Sequence, residues 1–270
     1  MVKKLLKYEL IYYLRTFGMF LPIILVMGLI TRLFMLFDSE NIAGAIIKGS
    51  SIIMLLIASS ALMVLAVVAA VVRFYKNMYS AEGYLTFTLP VTNSQHIFVK
   101  LAGAMICEVV CALTVILAWV IVIPGFDFYN ESIIGDLLAF FEGFPHIFVI
   151  IFTLIIEYVL LMLVSMASTM LLYYACMTVG QLAKKNRILL AVGVYFAYYA
   201  VTQSASTIFG IVFALLETVG GFGVVTQFMT DNMVATLYII GAIGIVLNAG
   251  VAVLFWFITQ KIMTKKLNLE

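Results

Sequence analysis

Residues 147–176 read IFVIIFTLIIEYVLLMLVSMASTMLLYYAC, and Glu157 is the one charged residue in this stretch. A helix needs roughly 20 mostly apolar residues to cross the hydrocarbon core of a bilayer. Apolar residues make up 65% of the chain and charged residues 10%, whereas soluble domains average about 45–50% and about 25%. This composition excludes a water-soluble fold, a disordered chain and a disulfide scaffold. It predicts an integral membrane protein.

Five further stretches have the length and composition of membrane spans. Together they predict an all-α integral membrane protein, a single transmembrane domain over residues 18–270. The outer segment 217–234 is glycine-rich and mildly apolar, so we expect it to dip partway into the bilayer as a re-entrant segment. The six predicted transmembrane helices cover residues 19–37, 51–72, 98–123, 147–176, 188–216 and 235–259.

Basic residues predict the orientation of the spans, because loops on the cytoplasmic side carry an excess of Lys and Arg. Thirteen of the 15 Lys and Arg residues lie on one side of the predicted spans. We therefore expect a multi-pass protein with both termini in the cytoplasm. The thirteen are Lys3, Lys4, Lys7, Arg15, Arg73, Lys76, Lys100, Lys184, Lys185, Arg187, Lys261, Lys265 and Lys266.

Residues 1–17 precede the first span and have the pattern of a separate helix. Leu6, Leu10, Leu14 and Phe17 recur at helical spacing, and the basic residues are expected to face away from this stripe. The pattern predicts an amphipathic helix that lies along the membrane surface, with its cations near anionic lipid headgroups. We expect it to meet the first span at an angle.

The loop 73–97 between the second and third spans reads RFYKNMYSAEGYLTFTLPVTNSQHI, which is longer than a connection between adjacent helices requires. We expect a short helix over residues 79–87, then a break at Pro90. Thr92 and Gln95 then predict a capping box that begins the next helix. Because exposed aromatic anchors mark interfaces, a soluble partner is expected to dock on this loop. The alternative is that its aromatic side chains pack against the protein's own helix ends.

Polar side chains within the spans are costly and are therefore candidates for function. Arg32, Glu108 and Glu157 are ionisable, and two interpretations account for them: a structural Arg–Glu pair, or a polar patch that substrate or protons contact. Gln203 in the fifth span and Asn248 in the sixth add hydrogen-bonding groups whose default role is helix packing.

Motifs for catalysis and nucleotide binding are missing from the sequence. It contains no G-x-x-x-x-G-K-[ST] phosphate loop, no H-E-x-x-H and no G-x-S-x-G. Cys107, Cys111 and Cys176 lie inside spans and are expected to pack as small apolar residues rather than to bind metal. We therefore expect no catalytic residue, no cofactor and no enzyme activity in this chain by itself.

The loop between spans 2 and 3 resembles that of a known family. RFYKN at residues 73–77, EGYLT at 82–86 and TLP at 88–90 are similar to the corresponding loop in membrane subunits of bacterial type-2 ABC exporters. Those subunits have six spans and an N-terminal interfacial helix. They also have a cytoplasmic coupling helix between helices 2 and 3 and a re-entrant outer segment between helices 5 and 6. The resemblance of architecture covers the whole chain.

The resemblance implies the permease subunit of an ATP-driven exporter in the bacterial cytoplasmic membrane, with ATP and Mg held by a separate ATP-binding subunit. The implied partners are that subunit, a second permease copy or a sister permease, and membrane lipids, with no nucleic acid. The implied substrate is a peptide, an antimicrobial or a lipid-like amphipathic molecule. The residues implied to couple to the ATPase are Arg73, Tyr75, Lys76, Tyr79, Glu82, Gly83, Tyr84, Phe87 and Pro90.

Two other classes of protein are compatible with the residues. A proton- or ion-coupled secondary transporter would use Glu108 and Glu157 and would move solute without an ATPase. A non-transporting membrane sensor or assembly partner is the third class.

Overall fold

The structure, a computed structural model, describes residues 2–36, 42–80, 83, 88, 90–123, 147–183, 185–218 and 223–265. These residues form α-helices and no β-strand. The helices are α1 (Val2–Phe17), α2 (Phe20–Phe34), α3 (Ile42–Tyr79), α4 (Asn93–Val122), α5 (Ile147–Gly180), α6 (Arg187–Thr218), α7 (Gly223–Asp231) and α8 (Met233–Lys265).

Several of these helices are long and apolar enough to cross a membrane. Five qualify alone, and the bent pair α1–α2 makes a sixth if it is counted as one span. Large apolar side chains are exposed along them, such as Phe148, Leu189, Phe209 and Val246. A soluble protein does not expose so much contiguous apolar surface. The predicted all-helical, multi-pass membrane protein is therefore confirmed, with five or six crossings.

The helices extend beyond the predicted spans at most ends. Helix α3 has 38 residues around the predicted span 51–72, and α5 has 34 residues around 147–176. At 1.5 Å per residue α5 is about 51 Å long, well beyond the roughly 30 Å of a bilayer core. The first span is the exception, because α2 ends at Phe34.

The chain divides into two compact units. Unit 1 comprises Met1–Asn77 and Leu85–Pro145, and unit 2 comprises Met78–Tyr84 and His146–Glu270. In unit 1, α1 and α2 both pack on α4. Gly28 of α2 lies so close to α4 that a Cβ there would be 3.0 Å from the carbonyl oxygen of Ala118. This close approach explains a glycine in the middle of an otherwise bulky apolar helix.

The N-terminal helix meets α2 at an angle, as expected, and its position along the membrane surface stays a prediction. Helices α1 and α2 meet at an angle of 41°. The break lies at Gly18 and Met19, and the Gly18 N–H donates to the carbonyl of Leu14 at 2.8 Å. Pro22 lies in the first turn of α2, where its missing N–H costs no helical hydrogen bond. In a continuous helix its ring would clash with the carbonyl of Gly18, so Pro22 favours the break at Gly18 and Met19.

In unit 2, α5 packs against both α6 and α8. Gly241 and Gly244 of α8 face Glu157 and Leu161 of α5, so these two glycines let the helices approach closely. The Thr153 and Tyr238 hydroxyls add a hydrogen bond between the same two helices.

The predicted coupling loop is partly helical at both of its ends. Residues 73–79 are the last two turns of α3, and α4 begins at Asn93. The predicted capping box is confirmed, because the Thr92 hydroxyl accepts from the Gln95 N–H and the Gln95 side chain accepts from the Thr92 N–H. Most of the expected helix 79–87 lies outside the described residues, so it stays a prediction. Segment 217–234 contains the nine-residue helix α7, and its expected dip into the bilayer also stays a prediction.

Candidate functional site

A buried carboxylate on the N-terminal helix links it to both helices that flank the predicted coupling loop. Glu9 of α1 accepts from Arg73 Nε of α3 at 3.3 Å and from Lys100 Nζ of α4. Asn77 Nδ2, one turn after Arg73, lies 3.5 Å from Glu9 Oε1. We call these four residues the Glu9 cluster.

Two members of the Glu9 cluster are shielded from solvent, whereas the Arg73 side chain is 23% exposed. Glu9 is 6% exposed and Lys100 is 5% exposed. Buried ions are costly unless they are paired and hydrogen-bonded, and here one carboxylate serves two cations. The Arg73 guanidinium also lies 4.0 Å from the centre of the Tyr12 ring, a cation–π contact. The cluster therefore carries one excess positive charge, part of which the ring face offsets.

Local sequence explains how the Glu9 cluster forms. Glu9, Tyr13 and Phe17 are the buried residues of α1, and their i, i+4, i+8 spacing places them on one face. Gly103 of α4 receives this face, since a Cβ there would lie 3.2 Å from the Glu9 Cβ. Burial raises the pKa of the Tyr13 phenol above its usual range, and the Glu9 carboxylate adds to the shift. Tyr13 is therefore neutral beside the ion pairs.

Sequence reasoning missed Glu9. The pattern of residues 1–17 indicates an apolar stripe with cations elsewhere. It assigns Lys100 only to topology, and it assigns Arg73 to topology and to coupling with the ATPase. One signal was present: Glu9 is the single acidic residue before Asp38. A lone acid on a basic helix is a candidate for burial against cations.

The predicted coupling residues fall in different surroundings. In unit 1, Arg73 belongs to the Glu9 cluster, Tyr75 is half-buried and Lys76 is exposed. Pro90, also expected to couple, is an exposed bend residue. The members outside the described residues are Glu82, Tyr84 and Phe87.

In unit 2, Tyr79 and Gly83 are both buried. The Tyr79 hydroxyl lies 2.7 Å from the Thr178 Oγ1 near the end of α5, and Thr178 also donates to the Tyr174 carbonyl at 2.6 Å. The start of the predicted coupling segment is therefore hydrogen-bonded to α5.

The predicted polar groups within the spans have unequal environments. Glu108 is 4% exposed, and its Oε1 has no hydrogen-bond partner among the described residues. The half-buried Arg32 makes no ion pair with Glu108, so that version of the predicted Arg–Glu pair is wrong.

The remaining three polar residues belong to unit 2. Glu157 has a buried Oε2 that lacks a partner in the described part of the chain, and its Oε1 faces Gly241. Gln203 is exposed on α6. The Asn248 side chain donates to the Gly244 carbonyl at 2.8 Å, within its own helix.

The described ranges contain no group of three or more His, Cys, Asp or Glu side chains placed to hold a metal ion. The three cysteines are free and buried.

Comparison with known proteins gives no match to a protein-family model, a curated protein or a solved structure.

Proposed function

We propose that this chain is the transmembrane permease subunit of an ATP-driven exporter. A separate ATP-binding subunit would bind residues 73–97, hydrolyse ATP and drive a peptide, antimicrobial or lipid-like substrate out of the cell. Two permease chains, identical or sister, would form the path. Both termini and the coupling segment would then lie in the cytoplasm of a bacterial cell.

The observation that carries the proposal is the Glu9 cluster. Arg73 and Asn77 lie at the C-terminal end of α3, and Lys100 lies near the start of α4, so the cluster flanks residues 80–92 on both sides. A force on that segment would be transmitted to α3, α4 and the N-terminal helix together, because the Glu9 carboxylate of the N-terminal helix is bonded to both α3 and α4. The buried ion pairs thus join the base of the segment to the N-terminal helix.

The charge and exposure around the segment suit a docking role. Lys76 and Pro90 are exposed, whereas Phe74 and Met78 of the same turns of α3 are fully buried. The buried pair holds the base in place, and the exposed residues are free to contact the ATP-binding subunit. Glu82 and Tyr84 would supply the charged and aromatic anchors of that contact.

The test is reconstitution of the full chain with its ATP-binding subunit in proteoliposomes. We expect the chain to stimulate ATP hydrolysis, and Glu82→Arg to abolish both association and stimulation. Glu142→Arg is the matched control, because it makes the same change in the segment predicted to lie outside. Wild-type stimulation in Glu82→Arg would refute the docking assignment.

A proton- or ion-coupled secondary transporter is the second candidate, and the buried, unpartnered Glu108 favours it. Such a carrier would move solute when a pH gradient is imposed, without any ATPase. Glu108→Gln would stop that transport. A sensor or assembly partner would move solute under neither condition. The same proteoliposomes, with and without the ATP-binding subunit, separate the three classes.

A further inference from the structure

Unit 1 has an open apolar groove of about 450 Å³ between α1, the start of α2 and α4. Its walls include Leu10 and Leu14 of α1, Leu21 of α2, and Ile106 and Val110 of α4. Leu14 is 68% exposed and Ile106 is 41% exposed, so this is surface that the rest of unit 1 leaves uncovered. The volume lies within the range of pockets that hold small ligands, about 300–1,000 Å³.

Two cations line the same groove. Lys3 and Lys7 are exposed, one helical turn apart, and contribute to its wall. The sequence pattern predicted that the basic residues face away from the apolar stripe, and for these two the structure differs. Neither lysine forms an ion pair with any described residue. Glu9, the one acidic residue of α1, is paired with Arg73 and Lys100 instead. The groove is thus apolar along its length and positively charged at one end.

The apolar walls and the two lysines together indicate which kind of ligand fits the groove. Lys3 and Phe17 both line the groove, and they are separated by about 21 Å along α1 at 1.5 Å per residue. An extended acyl chain has the shape for such a cleft, and a phosphate provides the anion that two adjacent lysines attract. A free phosphate would leave the apolar walls empty. A zwitterionic lipid carries a cation beside its phosphate, so its headgroup has no net charge to offset the two lysines.

We propose that this groove is a binding site for one anionic phospholipid, with its phosphate at Lys3 and Lys7 and an acyl chain between α1 and α4. Tyr13 and Cys107 also line the groove, and Tyr13 lies on the buried face of α1 with Glu9. Bound lipid therefore holds α1 against α4 beside the Glu9 cluster. This site does not depend on ATP-driven transport, so its test is independent of the proposed function.

The experiment is lipid titration of the purified full-length chain in detergent, followed by native mass spectrometry. The probe is palmitoyl-oleoyl phosphatidylglycerol, compared with the phosphatidylcholine of identical acyl chains and with inorganic phosphate. We expect one tightly bound phosphatidylglycerol that neither competitor displaces. Each lysine near an anionic headgroup strengthens association by about fivefold, so Lys3→Gln with Lys7→Gln should weaken binding by roughly 25-fold.

Variants separate the site from a general attraction of α1 to acidic lipid. Lys4→Gln is the matched control, since Lys4 is on the same turn but does not line the groove, and it should change affinity less than twofold. Ile106→Trp fills the groove from α4 at an exposed position, so the fold tolerates it, and it should weaken binding at least tenfold with all lysines intact. Equal losses for Lys4→Gln, or unchanged binding for Ile106→Trp, would overturn the proposal. So would phosphatidylcholine binding as tightly, or self-association of the chain through this face.

Discussion

Glu9 and Glu108 are buried glutamates in the same unit, yet the structure surrounds them differently. Glu9 accepts from two cations and lies beside an amide, whereas Glu108 has an oxygen without any partner in the described part of the chain. A buried polar atom left unpaired costs about 1–3 kcal/mol. The same residue type therefore stabilises at one position and destabilises at the other, and two substitutions test this.

Glu9→Gln should lower the free energy of unfolding by about 3 kcal/mol. The amide cannot neutralise Arg73 and Lys100, and an uncompensated buried charge is strongly destabilising. Thermal and denaturant unfolding in detergent measure the change. Lys76→Gln, an exposed cation on the adjacent α3 turn, is the control, and an equal effect of both variants would show that the cluster contributes no stability.

Glu108→Met should leave stability unchanged or raise it by about 1–2 kcal/mol, because it removes an unpartnered polar atom and keeps a similar volume. The same unfolding assay reports it. A large loss of stability would mean that the carboxyl has a structural partner. A stable variant that has lost transport would mean that the chain retains Glu108 for function.

At the scale of elements, two features are informative. The capping box at Thr92 marks the C-terminal end of the coupling segment, and Gly180 marks the contact of α5 with α6. The capping box at Thr92 was visible in the sequence, because S/T-x-x-Q before an apolar run satisfies backbone N–H groups locally. The contact at Gly180 was not visible, because it depends on where α6 lies. Each feature supports one prediction.

Thr92→Ala should destabilise the start of α4 by about 1 kcal/mol, the usual cost of losing a cap. Hydrogen exchange should accelerate at the Gln95 amide, whose acceptor is the Thr92 hydroxyl. Ser94→Ala, in the same turn but outside the capping box, should leave that amide unchanged. If both variants accelerate exchange equally, the cap has no particular role.

Gly180→Ala should destabilise unit 2 by about 1–3 kcal/mol. A Cβ at Gly180 would lie 2.7 Å from both the Ala191 Cβ and the Arg187 carbonyl oxygen, so α6 would have to shift. Gly193→Ala is the control, since no atom lies within 4 Å of that Cβ. It should be neutral or stabilising by up to about 1 kcal/mol, because alanine favours helix. Opposite signs in the unfolding assay are the expected result.

At the scale of the whole molecule, the number of crossings decides the topology. Six crossings place both termini on one side, and five place them on opposite sides. The distribution of Lys and Arg favours six, because basic segments are retained in the cytoplasm.

Single cysteines at Lys4, Lys48 and Lys261 test this topology with a membrane-impermeant maleimide. The native cysteines are buried and should give little background. We expect Lys4→Cys and Lys261→Cys to label from the same side and Lys48→Cys from the other. Labelling of the two terminal positions from opposite sides would show that the α1–α2 segment does not cross the membrane.

The sequence by itself determined the features that depend on neighbouring residues. Apolar runs become membrane helices because a bilayer leaves no other partner for backbone polar groups, and caps form within a few residues. Only the tertiary structure decided that Glu9 meets Arg73 and Lys100, which lie 64 and 91 residues away. It likewise decided that Glu108 Oε1 has no partner among the described residues and that Lys3 and Lys7 line a groove. Those features depend on which helix faces pack together, and the nearly uniform apolarity of the spans does not encode this.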